Sequence, residues 1–297
     1  MYDISGSIVV FKNNRGVLKK TLDSFLNADL KSYLYVLDNS PTDELRSICA
    51  QKNVEYVFND KNLGFGAAHN IAIRNMTGKT KYYLILNPDI YFDSGILEKL
   101  FNFMERNTDT GLVMPKVLYP DGALQHLCRL LPTPVDLLLR KLESKILRTG
   151  INLISKYELR FADYHKQIDV PYLSGCFMFM RTEVFKSVGI FDERFFIYFE
   201  DVDLSRRIHQ LYRTVYYPEV VVYHNYERGS NKNMVLLRHL ISSGVKYFNK
   251  WGWFFDKERK VVNRETLKNI HLILKNCNTL HYTKKIVKFC LLTKLLS

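Results

Sequence analysis

The stretch RFFIYFEDVDLSRR, residues 194–207, places three carboxylates directly after a run of aromatic and aliphatic residues. Glu200, Asp201 and Asp203 repel one another, and their apolar neighbours make each of them costlier to ionise. If a helix begins near residue 199, the acids lie in its first turns, where the helix dipole favours negative charge. Asp203 can then pair with an arginine three or four residues further on, but Glu200 and Asp201 have no such local partner. One of these two acids is therefore available as a general base in a partly dry pocket.

The chain before this stretch alternates between two kinds of pattern. Short β-rich runs bounded by turn residues predict strands at 7–11, 33–38, 54–58, 82–86 and 111–115. Between them, apolar residues at helical spacing predict helices at 15–28, 42–52, 66–76 and 95–107. Strands that alternate with helices predict an α/β fold with a mainly parallel central sheet. Ligands of such sheets bind beyond the carboxyl ends of the strands, so the residues that follow each strand form the candidate site.

Composition narrows the class of protein. The chain has 297 residues, is 47% hydrophobic and carries a net charge of +13. This describes a globular protein with an anionic partner, which could be nucleic acid, a phosphorylated small molecule or an anionic membrane face. Five scattered cysteines without a C-x-x-C pair favour a reducing compartment. The chain begins without signal-peptide features and has no uninterrupted apolar run long enough for a membrane span, so we expect a cytoplasmic protein.

Two predicted strands end in polar residues that suit nucleotide binding. Asp38 and Asn39 follow the second strand, where a side chain can hydrogen-bond a base edge. Asp89 follows the fourth strand after Asn87 and Pro88, and a carboxylate there can hold a hard cation against phosphate oxygens. Asn-Pro-Asp is also good turn chemistry, so this motif alone would predict only a turn. The sequence has no G-x-G-x-x-G or P-loop motif, which argues against the usual dinucleotide and P-loop sites.

The second half of the chain adds three features. Gly175 interrupts an apolar predicted strand, as glycine does where backbone approaches a ligand closely. Residues 135–148 predict an amphipathic helix with a basic face, and we favour packing of its apolar stripe on the core over contact with a membrane. The tail at 281–296 mixes lysines with leucines and fits either a surface-seeking segment or a packed terminal helix.

Five segments together carry a resemblance to a known family. They are DNS (38–40), NLGFGAAHN (62–70), LNPDIYF (86–92), LSGCFMFMRTEVFKSVGIFDERFFIYFEDVDLSRRI (173–208) and YHNYERGS (223–230). In this order, across roughly residues 7–230, the chain resembles the family 2 glycosyltransferases of the GT-A fold, and among them the bacterial rhamnosyltransferase-like branch. The longest segment is highly specific, whereas DNS or NPD alone would be a weak signal.

The resemblance implies a nucleotide-diphosphate-sugar donor, a divalent cation (Mg²⁺ or Mn²⁺) and inversion at the anomeric carbon. It assigns Asp201 as the base that deprotonates the acceptor hydroxyl, with Glu200 beside it. Asp89 would hold the metal against the diphosphate. His224 would lie near the diphosphate and could also bind the metal, although a packed core histidine explains its pattern equally well. The residues assigned to the nucleotide-sugar pocket are Val10, Asp38 (on the base), Asn39, Asn62, Gly64, Asn70, Asn87, Asp89 and Gly175.

One departure from the family pattern concerns the metal. The family motif is often Asp-x-Asp, but this chain has Asn87 and Asp89 around Pro88, as is common in the rhamnosyltransferase branch. A single carboxylate binds a cation weakly, so the phosphates of the donor must supply much of the coordination.

The predicted organisation follows from the resemblance and the composition. Residues 1–230 form the GT-A (Rossmann-like) domain, with a nucleotide-sugar-binding half at 1–118 and an acceptor and catalytic half at 119–230. Residues 231–297 form a helical, basic C-terminal extension. The resemblance favours dTDP-L-rhamnose as donor and a polyprenyl-diphosphate-linked saccharide as acceptor, in bacterial surface polysaccharide or O-antigen synthesis. The protein would then work on the inner face of the cell membrane, in peripheral contact with anionic lipid.

Two alternatives stay open, and a third class of protein is disfavoured. A UDP-sugar donor, with transfer of galactofuranose or N-acetylglucosamine, fits the same residues. A non-catalytic nucleotide-sugar-binding or scaffold protein is a second possibility, although the intact Asp89 and Asp201 argue against it. We expect no nucleic-acid partner, because the basic residues are spread out rather than interleaved with aromatic residues on one surface, and no recognition motif is present.

Overall fold

A computed structural model describes residues 1–141, 148–225 and 234–272 of the chain. In this part of the chain, a mixed sheet of nine strands runs in the order β3-β2-β1-β4-β10-β6-β11-β5, with β8 paired to β11, and β7 and β9 form a small separate pair. The strands are β1 Tyr2–Val10, β2 Ser32–Asp38, β3 Val54–Phe58, β4 Thr80–Leu86, β5 Ile90–Tyr91, β6 Thr110–Leu118, β7 Cys128–Arg129, β8 Ile168–Asp169, β9 Tyr172–Leu173, β10 Phe177–Arg181 and β11 Arg213–His224.

Helices cover both faces and one end of the sheet. They are α1 Arg15–Leu26, α2 Arg46–Cys49, α3 Phe65–Met76, α4 Ile96–Arg106, α5 Pro134–Lys141, α6 Arg148–Tyr157, α7 Val184–Val188, α8 Glu200–His209 and α9 Met234–Trp251. A further helix occupies residues 257–272. None of the helices in these described segments is long and apolar enough to cross a membrane.

The first half of the fold follows the predicted pattern. β3, β2, β1 and β4 pair in parallel, and the five strands predicted from the sequence are all present. The helix predicted at 42–52 is wrong in extent, because α2 covers only Arg46–Cys49. The residues after β2 turn back instead: Asp38 accepts a hydrogen bond from the backbone of Ser40, and the Ser40 hydroxyl accepts one from the backbone of Lys12. These bonds hold the segment after β2 beside the end of β1, and α2 begins only at Arg46.

The second half makes the sheet mixed. β10 lies between β4 and β6 and is antiparallel to both, while β11 is parallel to β6. Phe177, the first residue of β10, pairs with Leu86, the last residue of β4. An antiparallel neighbour therefore begins where β4 ends, and it brings residues 175 and 176 to the carboxyl edge of the parallel strands.

The acidic stretch forms the start of α8, as predicted. Tyr198 and Phe199 both have positive φ (68° and 70°), a region that bulky side chains rarely adopt, and the helix begins at Glu200. Asp203 pairs with Arg207, one of its two predicted partners, at 2.9 Å. Arg206, the other predicted partner, turns away and binds the C-terminal segment instead.

The region after residue 231 packs on α8. Apart from the main core around the sheet, there is a smaller group of buried residues, which we call the second hydrophobic cluster. It is formed by Tyr172, Phe195, Phe199 and Val202 from residues 119–230 and by Tyr247 and Phe248 from α9. Behind it, the buried Arg206 binds Asp256 at 2.7 Å and Glu258 at 2.7 Å. The C-terminal helices and the catalytic half thus share one core.

The predicted amphipathic helix at 135–148 corresponds to α5 and the beginning of α6, and residues 142–147 lie outside the described residues. Its expected packing is not what the structure shows. Val135 and Leu138, members of the predicted inward stripe, are 51% and 61% exposed. Leu137, the residue directly before Leu138, packs against the second hydrophobic cluster. The predicted tail at 281–296 also lies outside the described residues.

Candidate active site

The backbone of Gly175 and Cys176 joins two parts of the site. The Asn87 N–H donates to the Cys176 carbonyl at 2.9 Å, and the Gly175 N–H donates to Oδ2 of Asp201, also at 2.9 Å. The end of β4, which leads into Asp89, and the start of α8, which carries Asp201, therefore meet at one short segment. That the side chains of Asp89 and Asp201 face one cavity stays a prediction.

The structure gives a different reason for the glycine at position 175 from the close approach to a ligand that the sequence predicts. It lies between β9 and β10 rather than inside a strand. A Cβ at this position would stand 2.9 Å from Cβ of Asp201 and 3.3 Å from its Oδ2. The close approach made possible by the missing side chain is thus to the Asp201 carboxylate.

Asp201 is only partly buried, and its carboxylate is held in place. Oδ2 accepts from the Tyr172 hydroxyl at 3.0 Å as well as from Gly175, and Oδ1 accepts from the backbone of Val202 at 2.8 Å. These three hydrogen bonds fix the orientation of the carboxylate. A partly exposed and oriented carboxylate is what a general base requires.

A partly buried arginine supports this arrangement from behind. Nη1 of Arg129 donates to the Tyr172 hydroxyl at 3.1 Å, and the guanidinium lies 5.5 Å from the centre of the Tyr172 ring. Arg129 reaches this position because β7 pairs with β9, opposite Tyr172. The Tyr172 hydroxyl accepts from Arg129 and donates to Asp201, so the chain of donors runs toward the base.

Glu200 differs from its neighbour. It is 4% exposed, and among the described residues its Oε2 has no hydrogen-bond partner. Burial, and then the charge of Asp201, raise the pKa of Glu200 well above its usual value. Its Cβ packs near Gly66 on α3, so the side chain lies between the two halves of the fold. The sequence predicts that one acid of the cluster gains proton affinity, and the acid that does so is Glu200.

Asp89 and His224 lie together at the other side of the junction. Nε2 of His224 is 3.3 Å from Oδ1 of Asp89, and Nδ1 is 3.0 Å from Oε1 of Gln125. Burial alone would lower the pKa of His224, but hydrogen bonds to the Asp89 carboxylate and the Cys176 sulfur raise it to about 10. Ser230, at the end of the YHNYERGS motif, is outside the described residues.

The residues around Asp89 fit a divalent cation only with help from a ligand. Asp89 is partly exposed and His224 faces it, which gives one carboxylate and one imidazole. In the segments that the structure describes, no three His, Cys, Asp or Glu side chains converge as a metal cage. Oxygen-preferring cations need several further ligands, and the phosphates of a bound donor are suited to supply them.

The predicted base-contacting residues form a network at the ends of β2 and β3. Asp38 is fully buried, and its Oδ2 accepts from the Tyr56 hydroxyl at 2.5 Å. Nδ2 of Asn39 donates to the Gly64 carbonyl at 3.0 Å, and Oδ1 of Asn62 accepts from the Gly64 N–H at 2.9 Å. This network shapes the turn that leads into α3.

Gly64 ties this turn to the acidic stretch. Its φ is +82°, and a Cβ would stand 2.2 Å from the carbonyl oxygen of Phe196. The neighbouring Phe65 N–H donates to that same carbonyl at 2.8 Å. The nucleotide-side turn and the aromatic run before α8 are therefore in direct backbone contact.

Two predicted pocket residues have structural tasks. Asn70 is fully buried, and its amide binds both the backbone N–H and the carbonyl of Phe191, as well as the Glu193 carboxylate. Val10 is fully buried at the end of β1, where its carbonyl accepts from the Asn39 N–H. Their binding roles stay predictions, and what they visibly do is hold the loops around the site.

The sequence did not single out Tyr172, Arg129 or Gln125. Each acts through a predicted residue: Tyr172 and Arg129 on Asp201, and Gln125 on His224. The partners are separated by 29 residues for Tyr172 and Asp201 and by 99 for Gln125 and His224. No local spacing signals such pairs, and only the unexplained arginine in an apolar segment hints at one.

The chain is similar to known proteins in sequence. A family model described as glycosyl transferase family 2 matches residues 7–189. N-acetylglucosaminyl-diphospho-decaprenol L-rhamnosyltransferase of Mycobacterium tuberculosis is 26% identical over 218 residues, which cover 66% of this chain and 67% of that protein. Rhamnosyltransferase WbbL of Escherichia coli is 28% identical over 211 residues, which cover 68% of this chain and 75% of that protein.

A solved structure extends the likeness to the fold. Mannosyltransferase PcManGT from Pyrobaculum calidifontis, in complex with GDP-Man and Mn²⁺, superposes with a TM-score of 0.53 at 17% identity. The match covers 84% of this chain and 64% of that one. At this identity the likeness shows a shared fold, the GT-A fold, in which a mixed central sheet is flanked by helices.

Proposed function

The chain belongs to glycosyltransferase family 2, and from that premise we propose that it transfers L-rhamnose from dTDP-L-rhamnose to a hydroxyl of a lipid-diphosphate-linked saccharide, with inversion. The observation that carries the proposal is the junction at Gly175 and Cys176. It joins an oriented carboxylate on α8 to the strand end that suits a diphosphate. Sugar transfer needs both groups at one place.

On the acceptor side, Asp201 takes the proton from the attacking hydroxyl. Oδ2 is fixed by Tyr172 and Gly175, and the residue is partly open to solvent, so an acceptor oxygen can approach. Burial and the charge of Asp201 raise the pKa of Glu200, which favours its uncharged form and would lessen like-charge repulsion beside Asp201.

On the donor side, Asp89 and His224 face the diphosphate. A divalent cation bound at Asp89 would neutralise charge that develops on the departing nucleoside diphosphate. His224, whose Nε2 lies 3.3 Å from Oδ1 of Asp89, would stand beside that cation and the diphosphate. Asp38, Asn39 and Asn62 shape the turn where the nucleoside would bind.

The choice of sugar and acceptor rests on the relatives. Two of them are named rhamnosyltransferases, and the name of the mycobacterial protein includes a diphospho-decaprenol acceptor. The net charge of +13 suits an anionic donor and an anionic, lipid-linked acceptor.

A donor screen tests the proposal. Purified protein with Mn²⁺ is incubated with dTDP-L-rhamnose, UDP-galactofuranose, UDP-N-acetylglucosamine or GDP-mannose, and thermal stabilisation and transfer to a short-chain prenyl-diphosphate N-acetylglucosamine are measured. We expect dTDP-L-rhamnose to stabilise most and to be the donor that is transferred. Preferred transfer from a UDP-sugar would overturn the choice of donor, and donor binding without turnover on any saccharide acceptor would favour a scaffold role.

Asp201→Asn tests the role of the base. Removal of a general base typically costs about 10²–10⁴-fold in rate, and we expect that loss in kcat with donor binding unchanged. Asp169→Asn is the matched control, because Asp169 is a partly exposed carboxylate that pairs with Arg213 at the opposite end of β11 from His224. Transfer by Asp201→Asn at the wild-type rate would show that another group is the base.

A further inference from the structure

Three consecutive residues after α9 present aromatic rings to solvent. Trp253, Phe254 and Phe255 are 39%, 72% and 98% exposed, and we call them the aromatic tip. Large exposed apolar groups that stand together mark surfaces for interaction, whereas single ones need no explanation. The sequence of the segment is WGWFFDKERK, so a basic run follows the rings directly.

The aromatic tip is held in shape by buried bonds. Arg259 is 5% exposed, and its guanidinium donates to the carbonyls of Gly252 and Trp253 at 3.3 and 2.8 Å. Gly252 has a φ of +99°, which turns the chain out of α9. A buried cation that fixes the base of an exposed hydrophobic loop indicates that the exposure is built into the fold.

The helix that follows carries a stripe of cations. Residues at spacings of three and four lie on one face of a helix. On the outer face of helix 257–272 this spacing aligns four exposed residues, Lys257, Lys260, Arg264 and Lys268, which we call the basic stripe. Two acids face the same helix surface: Glu258 is engaged by Arg206, and Glu265 lies 3.6–4.0 Å from Arg264 and Lys268. The net charge of the stripe stays positive.

More apolar surface lies beside the aromatic tip. Arg259 also donates to the carbonyl of Pro132 at 3.2 Å, two residues before α5 begins. Val135 and Leu138 on that helix are the exposed residues whose packing differs from the prediction. Exposed apolar side chains of two separate elements are thus connected through one arginine.

The aromatic tip is also close to the site. The Trp253 ring lies 5.2 Å from the ring of Phe248, which in turn lies 6.3 Å from that of Phe199. Phe199 immediately precedes Glu200 and Asp201. The aromatic tip is therefore connected to the start of α8 through the rings of Phe248 and Phe199.

We propose that the aromatic tip and the basic stripe dock this enzyme on an anionic bilayer, with the rings at the headgroup level and the cations over the lipid phosphates. Aromatic residues favour the membrane interface, and clustered Lys and Arg are attracted to anionic leaflets. The complementary charge of the stripe selects a bilayer over a second copy of this chain, which carries the same positive stripe. The inference rests on the proposed function only in that a lipid-linked acceptor requires such an orientation.

Vesicle flotation tests the docking surface. Wild-type protein is mixed with vesicles of 30% phosphatidylglycerol in phosphatidylcholine, or of phosphatidylcholine alone. We expect the protein to float with the anionic vesicles and to be released by 0.5 M NaCl. The double variant Phe254→Ser/Phe255→Ser should reduce binding at least tenfold. Leu211→Ser is the matched control, because Leu211 is 63% exposed at the far end of α8, and it should bind like wild type.

Fluorescence locates the contact. The chain has two tryptophans, and Trp251 is held under Arg206 while Trp253 is in the aromatic tip. Lipids brominated in the upper acyl chain should quench wild-type emission, and Trp253→Phe should lose that quenching. Absence of quenching, wild-type flotation of the double variant, or a shift from dimer to monomer caused by that variant would each overturn the proposal.

Activity on two acceptors separates this inference from the proposed function. The double variant should keep wild-type kcat on a short, water-soluble acceptor and lose activity only on acceptor embedded in vesicles. If wild type floats with vesicles but transfers no rhamnose to either acceptor, the proposed function fails and the docking surface stands. Equal loss of the double variant on both acceptors would contradict a docking role.

Discussion

Tyr172 and Arg129 support Asp201 from outside the segment that carries it. We expect Tyr172→Phe to lower kcat roughly tenfold with donor binding unchanged, because a hydrogen bond to a carboxylate is worth about 1.5–3 kcal/mol and its loss frees the Asp201 side chain to rotate. Arg129→Met should lower kcat by a smaller amount.

Separate measurement of kcat, donor binding and the free energy of unfolding distinguishes positioning from simple loss of packing, which would also weaken donor binding and destabilise the fold. Tyr217→Phe is the control, because its hydroxyl also donates to a carboxylate, that of the exposed Glu219. A wild-type kcat in Tyr172→Phe would contradict the positioning role.

Glu200 has an effect on stability with a definite sign. A carboxyl whose folded-state pKa is raised destabilises the fold increasingly as pH rises above the unfolded-state pKa of about 4.3. Glu200→Gln removes that penalty. Urea unfolding at pH 8 should give it a larger free energy of unfolding than wild type, by on the order of 1 kcal/mol or more, with no difference near pH 4. A gain of equal size at both pH values would show that the raised pKa is not its cause.

At the scale of elements, α8 and the C-terminal segment are joined by a buried ion pair. Asp256 and Arg206 are 2.7 Å apart and both almost fully buried. Without the Asp256 carboxylate, the buried Arg206 keeps only the partly exposed Glu258 as an ionic partner, so Asp256→Asn should cost up to about 3 kcal/mol in urea unfolding. Asp23→Asn, in the exposed pair Lys19–Asp23, should cost less than about 0.5 kcal/mol. Similar losses in the two variants would contradict this assignment.

The elements that could be predicted are those with local signals. β1 to β4 and the helices between them follow from alternating apolar runs, and α8 follows from acids placed at a helix start. The position of β10 between β4 and β6 has no signal in its own sequence, because strand order depends on pairing between segments that are far apart in the chain. Arg206 shows the same limit: local spacing offers Asp203, but the partner in the fold is Asp256, 50 residues away. The candidate acids therefore carry a local signal in the sequence, whereas Tyr172 and Arg129, which contact Asp201 directly or through one residue, do not.

At the scale of the whole molecule, the predicted division at residue 230 can be tested. The C-terminal helices complete the second hydrophobic cluster, so a chain ending at residue 230 would expose Phe195, Phe199 and Val202 beside the base. We expect residues 1–230 alone to be insoluble, or to lack a cooperative unfolding transition in circular dichroism, whereas residues 1–272 should fold. A soluble, active 1–230 fragment would restore the predicted boundary.

Grafting a donor pocket from a relative onto this chain would have to carry the Gly175–Cys176 junction with it. The Asn87 bond to Cys176 and the pairing of β4 with β10 join the two halves. In a hybrid spliced at residue 118, the two sides of these contacts would come from different proteins, next to the candidate active site. Altered sugar preference and a misplaced proton acceptor would then arrive together. An active hybrid would therefore need the end of β4 and the segment from Gly175 through β10 to be exchanged together.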